Sequence, residues 1–361
     1  PAAIRALREE KNQWAGELTP EVIVQVLEEN ARINASLQAK SEDVQEQNQV
    51  FSRKQQFSDI REMINEAYGE LDAYDYYLAD RIPAEDGSDF YERRLEGLEK
   101  WLSSGEGSTY TEAEKEYLRT KFREVETPFH YQCADGWKAL LDSAYMNTLL
   151  MITVIVTAFL VSGIFSDEFN LKADSIFFST RMGRGRAVWA KVGAGMLLTT
   201  GIYWGAVLLY SLLVLAVVGP GGGSCAVQTG FGNWASIYNI TYFQDFLITV
   251  GGGYVGTLFI ILVGLLVSAR SHSAIMAVAV PFALTCFPPF LGRITALEKL
   301  MLLFPDQLLM INQSLNVRKT CLYQIGGRIF GSSQVLAVLY LVLICAAVPA
   351  LFVLYRRSQI R

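Results

Sequence analysis

Histidine is almost missing from this chain: His130 and His272 are the only two in 361 residues, and they stand far apart. A His-based metal centre or catalytic triad therefore has no raw material. The phosphate-cradling pattern G-x-x-x-x-G-K-[ST] is also absent, so the chain cannot hold the phosphates of ATP itself. No G-x-S-x-G nucleophile elbow occurs. Residues 219–224 are glycine-rich, but no lysine follows them and they read as a flexible turn. The five cysteines, Cys133, Cys225, Cys286, Cys321 and Cys345, show no paired spacing. One disulfide among Cys133, Cys225 and Cys321 and a set of inert thiols are equally good readings. Nucleic-acid binding is unsupported, because the single basic cluster is short and wedged between apolar runs.

Acidic residues are scarce in one part of the chain and abundant in the other. Residues 1–143 hold 17 Lys and Arg against 30 Asp and Glu, a balance of −13. Residues 144–361 hold the remaining 14 basic and 6 acidic residues, a balance of +8. The first part has a soluble, acidic, helix-rich composition and the second a membrane composition. Two domains are expected, a helical one at 1–143 and a transmembrane one at 144–361.

Five segments reach or approach the roughly 20 apolar residues that a spanning helix needs: 145–165, 193–218, 246–267, 274–291 and 335–355. All lie far from the amino end, so none is a signal peptide. The predicted fold class is an all-α, multi-pass membrane protein. Basic residues set the orientation. With the 166–191 loop in the cytosol, the inner side holds nine: Lys172, Arg181, Arg184, Arg186, Lys191, Arg270, Arg356, Arg357 and Arg361. The other side holds five, across the much longer 292–334 loop. This predicts a plasma-membrane protein with a cytoplasmic carboxyl end and an extracytoplasmic 1–143 domain. A translocated head with five spans requires a sixth helix upstream of Pro1, which is expected to be missing from this chain.

Within 1–143, Ile23, Val26, Asn30, Ile33 and Leu37 recur at steps of three and four. Ile60, Ile64, Ala67, Leu71, Tyr74 and Leu78 do the same. Each set makes one apolar stripe that needs a partner, and together they predict a coiled-coil-like antiparallel stalk. Pro83 and Gly87 break the pattern ahead of a helix carrying Phe90, Leu95, Leu98 and Trp101. Thr111 with Glu114 fits a capping box for a helix carrying Tyr117, Leu118 and Phe122. The tyrosines of this region are preferably packing aromatics, with a ligand surface as the rarer alternative.

Polar side chains interrupt the first span at Asn147, Thr148, Thr153, Thr157 and Ser162. Such groups must find partners inside a bundle. Asn147, Thr153 and Ser162 are candidates for a substrate path, and helix–helix hydrogen bonding explains them equally well. Gly201-x-x-x-Gly205 and Gly252-x-x-x-Gly256 match the spacing that lets helices approach closely. Pro281 and the Pro288, Pro289 pair stop a regular helix after about fourteen residues of the fourth span. Beyond it, 294–303 and 308–315 look like short helices that lie on the membrane or dip into it.

The 166–191 loop is the most informative stretch. Asp167 and Glu168 stand just past the first span, followed by Phe169, Leu171, Ile176, Phe177 and Phe178. Arg181, Arg184 and Arg186 surround two glycines, and Trp189 and Lys191 stand where the chain turns apolar again. The positive-inside rule accounts for the arginines, but not for the acidic pair or the aromatic run. A membrane-hugging amphipathic helix does, with Glu168 paired to an arginine of 181–186 or to a partner protein.

This order resembles the ABC-2 type exporter permeases: an acidic pair after a span, an apolar helix, a Ser/Thr turn with arginine, then lysine at the next span. The residues that carry it are Glu168, Ile176, Phe177, Phe178, Ser179, Arg181, Arg184, Arg186 and Lys191. One departure is Thr180, followed by Arg181, where the family often has proline after the serine. The likeness covers about 145–361, and large inserts after the first span occur in the family. It implies a coupling helix within 167–191 that docks on a separate ATPase subunit. Asp167, Glu168, Phe169, Phe177, Phe178, Arg181, Arg184, Arg186 and Lys191 are the coupling residues. It further implies a second permease subunit, membrane lipid around the spans, and an amphiphilic cargo such as a peptide antibiotic, lipid or drug. This chain would be no enzyme and would hold no cofactor, since ATP and magnesium belong to the ATPase. A membrane-anchored sensor or scaffold whose 1–143 domain binds a ligand is the rival. It predicts a cytoplasmic signalling domain, and the sequence here runs six residues past Tyr355. An intramembrane enzyme has only the solitary Asp245 to draw on.

Overall fold

Helices dominate the computed structural model, which describes residues 2–36, 38–70, 74–173, 186–291, 298–316 and 321–356. The chain divides into two compact units. One comprises 1–140, 214–245 and 315–320; the other comprises 141–213, 246–314 and 321–361.

The first, polar unit is built from short helices. They are α1 (Ala2–Lys11), α2 (Pro20–Asn34), α3 (Val44–Lys54), α4 (Ser58–Tyr68), α5 (Phe90–Leu102), α6 (Glu112–Arg123) and α7 (Asp135–Leu141). A two-residue ladder joins β1 (Gly16–Glu17) to β2 (His130–Tyr131), antiparallel. The stripe on α2 is buried as its spacing predicts, with Ile23, Val26, Asn30 and Ile33 all inside. No long stalk forms, however: α2 stops at Asn34 and α4 at Tyr68. Leu37 and Leu71 lie outside the described residues, and Tyr74 is exposed. The two stripes meet instead in one globular core with Phe57, Phe90, Phe129, Tyr131 and Trp234. Asn30 explains why a pure coiled-coil seam fails. Its amide is buried and donates to the Ala79 carbonyl at 3.1 Å and the Asp80 carboxylate at 2.9 Å. The capping box predicted at Thr111 is present, with hydroxyl and Glu114 satisfying each other's backbone donors.

The 219–224 turn is packed rather than flexible. A Cβ at Gly223 would lie 2.9 Å from the Trp137 indole. Gly222 sits at φ +77°, the left-handed region that favours glycine, and its N–H donates to Gln132. Trp137 donates its indole N–H to the Pro220 carbonyl at 2.9 Å. All five cysteines are free thiols. Burial pushes the Cys133 thiol up and the Cys225 thiol to about 11, so both stay protonated and inert.

The second, apolar unit carries α8 (Ser143–Val161), α9 (Asp167–Asn170), α10 (Arg186–Val218), α11 (Tyr242–Ser271), α12 (Ala274–Cys286) and α13 (Pro288–Leu291). After these come α14 (Glu298–Met301), α15 (Asp306–Leu309), α16 (Ile311–Asn316) and the long α17 (Ser332–Arg356). Among the described residues, four helices are long and apolar enough to cross a membrane: α8, α10, α11 and α17. The fourth expected span, 274–291, holds the 13-residue α12, which stops as its prolines predict, followed by the separate turn α13. Three prolines in that stretch remove backbone donors, and the helix ends at Cys286 before Pro288 and Pro289. Between α16 and α17 runs an antiparallel hairpin, β3 (Leu322–Ile325) with β4 (Arg328–Gly331). Gly326 and Gly327 both take positive φ, as a two-residue hairpin turn requires.

The two glycine pairs behave differently. A Cβ on Gly256 would lie 2.9 Å from Leu308 Cβ, and one on Gly252 would lie 3.1 Å from Ile311. The α11 pair therefore seats α15 and α16. A Cβ on Gly201 or Gly205 of α10 meets nothing within 4 Å.

Candidate functional site

The described parts of the 166–191 loop form its two ends, and the structure joins them. Ser166 ends the turn after α8, and α9 presents Asp167, Glu168 and Phe169. Backbone bonds from Asp167 to Gly163 and from Asn170 to Ser166 wind α9 tightly onto the end of α8. At the other end α10 begins at Arg186, one turn before Lys191.

Glu168 pairs with Lys191, not with an arginine among the described residues. The Lys191 ammonium also donates to the Ile164 carbonyl. The two side chains are only 16% and 18% exposed, so the pair is shielded from solvent on most sides. The Lys191 Nζ lies 5.4 Å from the Phe165 ring centroid and 5.6 Å from that of Tyr355. These two rings meet edge to face at 4.8 Å, and Tyr355 also lies against the Glu168 carboxylate. Aromatic faces attract a cation, so Lys191 is held by a carboxylate, a carbonyl and two rings at once. Phe169 lies against His272 with the rings tilted by 56° and their centroids 3.6 Å apart, and Trp189 packs on Phe352 at 5.5 Å.

Beneath this cluster lies a core drawn from four long helices: Ala158, Val161, Val188, Val192, Ile261, Leu265, Ala269 and Leu351. The loop's ends are thus anchored to α8, α10, α11 and α17 together. A force applied between Asp167 and Arg186 reaches all four helices through packed side chains, because cores of this density transmit strain. Asp167 and Arg186 are exposed. Phe177, Phe178, Arg181 and Arg184 lie outside the described residues.

The candidate path residues are spread along α8. Asn147 and Thr153 are buried, and Ser162 is half-buried. Thr153 donates to the Leu149 carbonyl and Ser162 to that of Phe159, each within its own helix. The Ser162 carbonyl receives the Ser268 hydroxyl at 3.0 Å, which ties α8 to α11. Helix packing accounts for Thr153 and Ser162. Both polar atoms of Asn147 are buried without a partner among the described residues. Thr148, which the sequence places with this set, is exposed.

Sequence reasoning missed two features. Tyr355 and Phe165 were invisible as parts of the cluster, because nothing local distinguishes an aromatic under a lysine from any other apolar helix residue. The 214–245 segment was read only as a connection, yet it supplies Trp234 to the polar unit's core. The Trp and Tyr content of 234–242 was the available signal. Among the described residues no three of His, Cys, Asp and Glu gather as a metal site.

Comparison with protein-family models, curated proteins and solved structures finds no match to this chain.

Proposed function

We propose that the chain is the membrane-spanning permease subunit of an ATP-driven exporter of the ABC-2 type. It works beside a second permease subunit and is driven by separate ATPase subunits. The observation that carries this reading is the shielded Glu168–Lys191 pair, set on a core shared by α8, α10, α11 and α17. A loop that only connected two spans has no use for a half-buried ion pair at its base. One that receives a push does, since the pair makes its two ends move as a unit. Closure of the ATPases displaces the loop, and the anchored ends tilt the first span against its neighbours, alternating access to a path. The four apolar helices support a multi-pass membrane location. In this reading the loop and carboxyl end are cytoplasmic, and the polar unit is extracytoplasmic at the plasma membrane, shaping the exit or recruiting a surface partner. The cargo is an amphiphile.

The test is co-reconstitution with the separate ATPase that this reading requires. Glu168→Lys and Lys191→Glu should each abolish substrate-stimulated ATP hydrolysis while folding is kept, and the double exchange should restore part of it. Arg184→Ala should abolish it by removing the docking contact. Unchanged coupling in all the single variants would remove the role given to the loop.

A further inference from the structure

A cleft opens in the polar unit between the end of α4, α5, α6 and the 234–237 stretch. Its lining includes the apolar and aromatic Leu98, Trp101, Leu118, Phe122 and Trp234. The same lining carries three cations, Arg93, Arg94 and Lys100, against the single carboxylate of Glu66. That carboxylate is already engaged, accepting the backbone N–H groups of Gly232 and Trp234.

Arg94 is the unusual member. It is 5% exposed, and its hydrogen-bond partners among the described residues are carbonyl oxygens: Trp234 at 3.1 Å, Phe122 at 3.2 Å and Ser236 at 2.7 Å. Its guanidinium lies 3.8 Å from the Phe122 ring centroid. No carboxylate among the described residues offsets its charge, and burial lowers its pKa to about 9. A guanidinium has five N–H donors, so two remain in a side chain that lines the cleft. Arg93 adds a buried Nε with no partner, while its Nη1 reaches Glu96 at 3.4 Å on the rim. A buried cation without a counter-ion is costly unless an anion arrives to meet it.

Gly97 is an independent pointer. It stands inside α5 and lines the cleft, yet a Cβ built there meets nothing within 4 Å. Glycine weakens a helix interior, and nothing in this chain's own packing asks for it. The vacant space beside it is the cleft itself.

We propose that this cleft binds a small amphiphile carrying one carboxylate. Its apolar body lies along Trp101 and Trp234, and its head group meets Arg94, Arg93 and Lys100. This site stands whether or not the chain is an exporter subunit.

The experiment is calorimetric titration of the full chain in lipid nanodiscs with phenylpropionate, phenylpropanol and phenylpropylamine, with empty nanodiscs correcting for partition. Phenylpropionate should bind saturably and roughly tenfold or more tighter than the alcohol, as a charge-assisted contact to a buried guanidinium requires. The amine should neither bind nor compete. Gly97→Leu should abolish binding with the unfolding midpoint unchanged or raised, because the new side chain occupies empty space on a helix. Arg93→Ala and Lys100→Ala should each weaken it several-fold. Absence of saturable phenylpropionate binding, equal affinity for the alcohol, or undiminished binding by Gly97→Leu would each overturn the assignment.

Discussion

At the scale of single residues, the polar unit depends on a buried charge cluster. Lys11 Nζ donates to Asp59 at 3.3 Å and to Asp135 at 2.9 Å. Lys138 lies 3.1 Å from Asp59, and the Tyr131 hydroxyl donates to Asp59 at 3.0 Å. Burial alone would push the Asp59 carboxyl up, but Lys138 and Lys11 outweigh it and hold it below its ordinary value. Burial likewise works against the Lys11 and Lys138 cations, and Asp59 and Asp135 raise both above the ordinary lysine value. The sign of the pH dependence follows. Asp59 stabilises fully above its unfolded pKa of about 3.9, and its contribution is lost as pH falls through the lower folded value. The lysines contribute fully below about 10.4, and lose their contribution as pH rises through their raised folded values. Unfolding midpoints of the full chain should therefore hold a plateau from about pH 5 to pH 9 and fall on the acid side. Asp59→Asn leaves two buried cations short of a partner. It should cost about 3–5 kcal/mol and flatten the acid limb, read from denaturant unfolding across pH. An unaltered acid limb would show that another group governs it.

At the scale of elements, close approach and end-capping make separable contributions. Gly256 lies against Leu308 and the Pro305 carbonyl, so Gly256→Val must displace α15 from α11. A loss of about 1–3 kcal/mol is expected, as for overpacking elsewhere, seen as a lower midpoint in detergent unfolding. Gly201→Ala, on a face that meets nothing within 4 Å among the described residues, should leave the midpoint unchanged or raise it slightly. Equal effects at the two sites would contradict the packing described. On α6, Thr111→Ala removes one half of the capping box and should cost about 1 kcal/mol, measurable as faster amide exchange in the first turn. The apolar helices also show how far element reading reaches. The prolines of 274–291 predict a helix that stops after about fourteen residues, and the structure has a 13-residue helix followed by a turn. Hydropathy sums composition, whereas helix continuity depends on every backbone donor in turn.

At the scale of the whole molecule, each unit is sewn together from distant stretches of chain. The polar unit takes 214–245 as well as 1–140, through Glu66 to Trp234 and Arg94 to Ser236. The proposed sidedness makes a direct prediction. Single cysteines placed at exposed polar-unit positions such as Glu92 should react with an impermeant maleimide on intact cells. One placed at Asp167 should react only after lysis. The reverse pattern would invert the topology and remove the docking role of the loop.

How much was legible in advance varied with the range of the interaction. The capping box at Thr111, the buried stripe Ile23, Val26, Asn30 and Ile33, and the four long apolar helices could all be read from neighbouring residues. Each depends on spacing within one or two turns, or on the transfer of a contiguous apolar run from water. Glu168 and Lys191 both stood out in the sequence, but their pairing with each other did not, because the arginines stood closer to Glu168 as the expected mates. That pairing, the rings of Phe165 and Tyr355 around it, and the seat of Trp234 among Phe90, Tyr91 and Phe129 were decided by tertiary structure. Long-range contacts join residues whose own neighbourhoods are unremarkable, so local periodicity and charge carry no trace of them. A carboxylate takes the cation that the packed helices bring to it, and packing is a property of the folded chain alone.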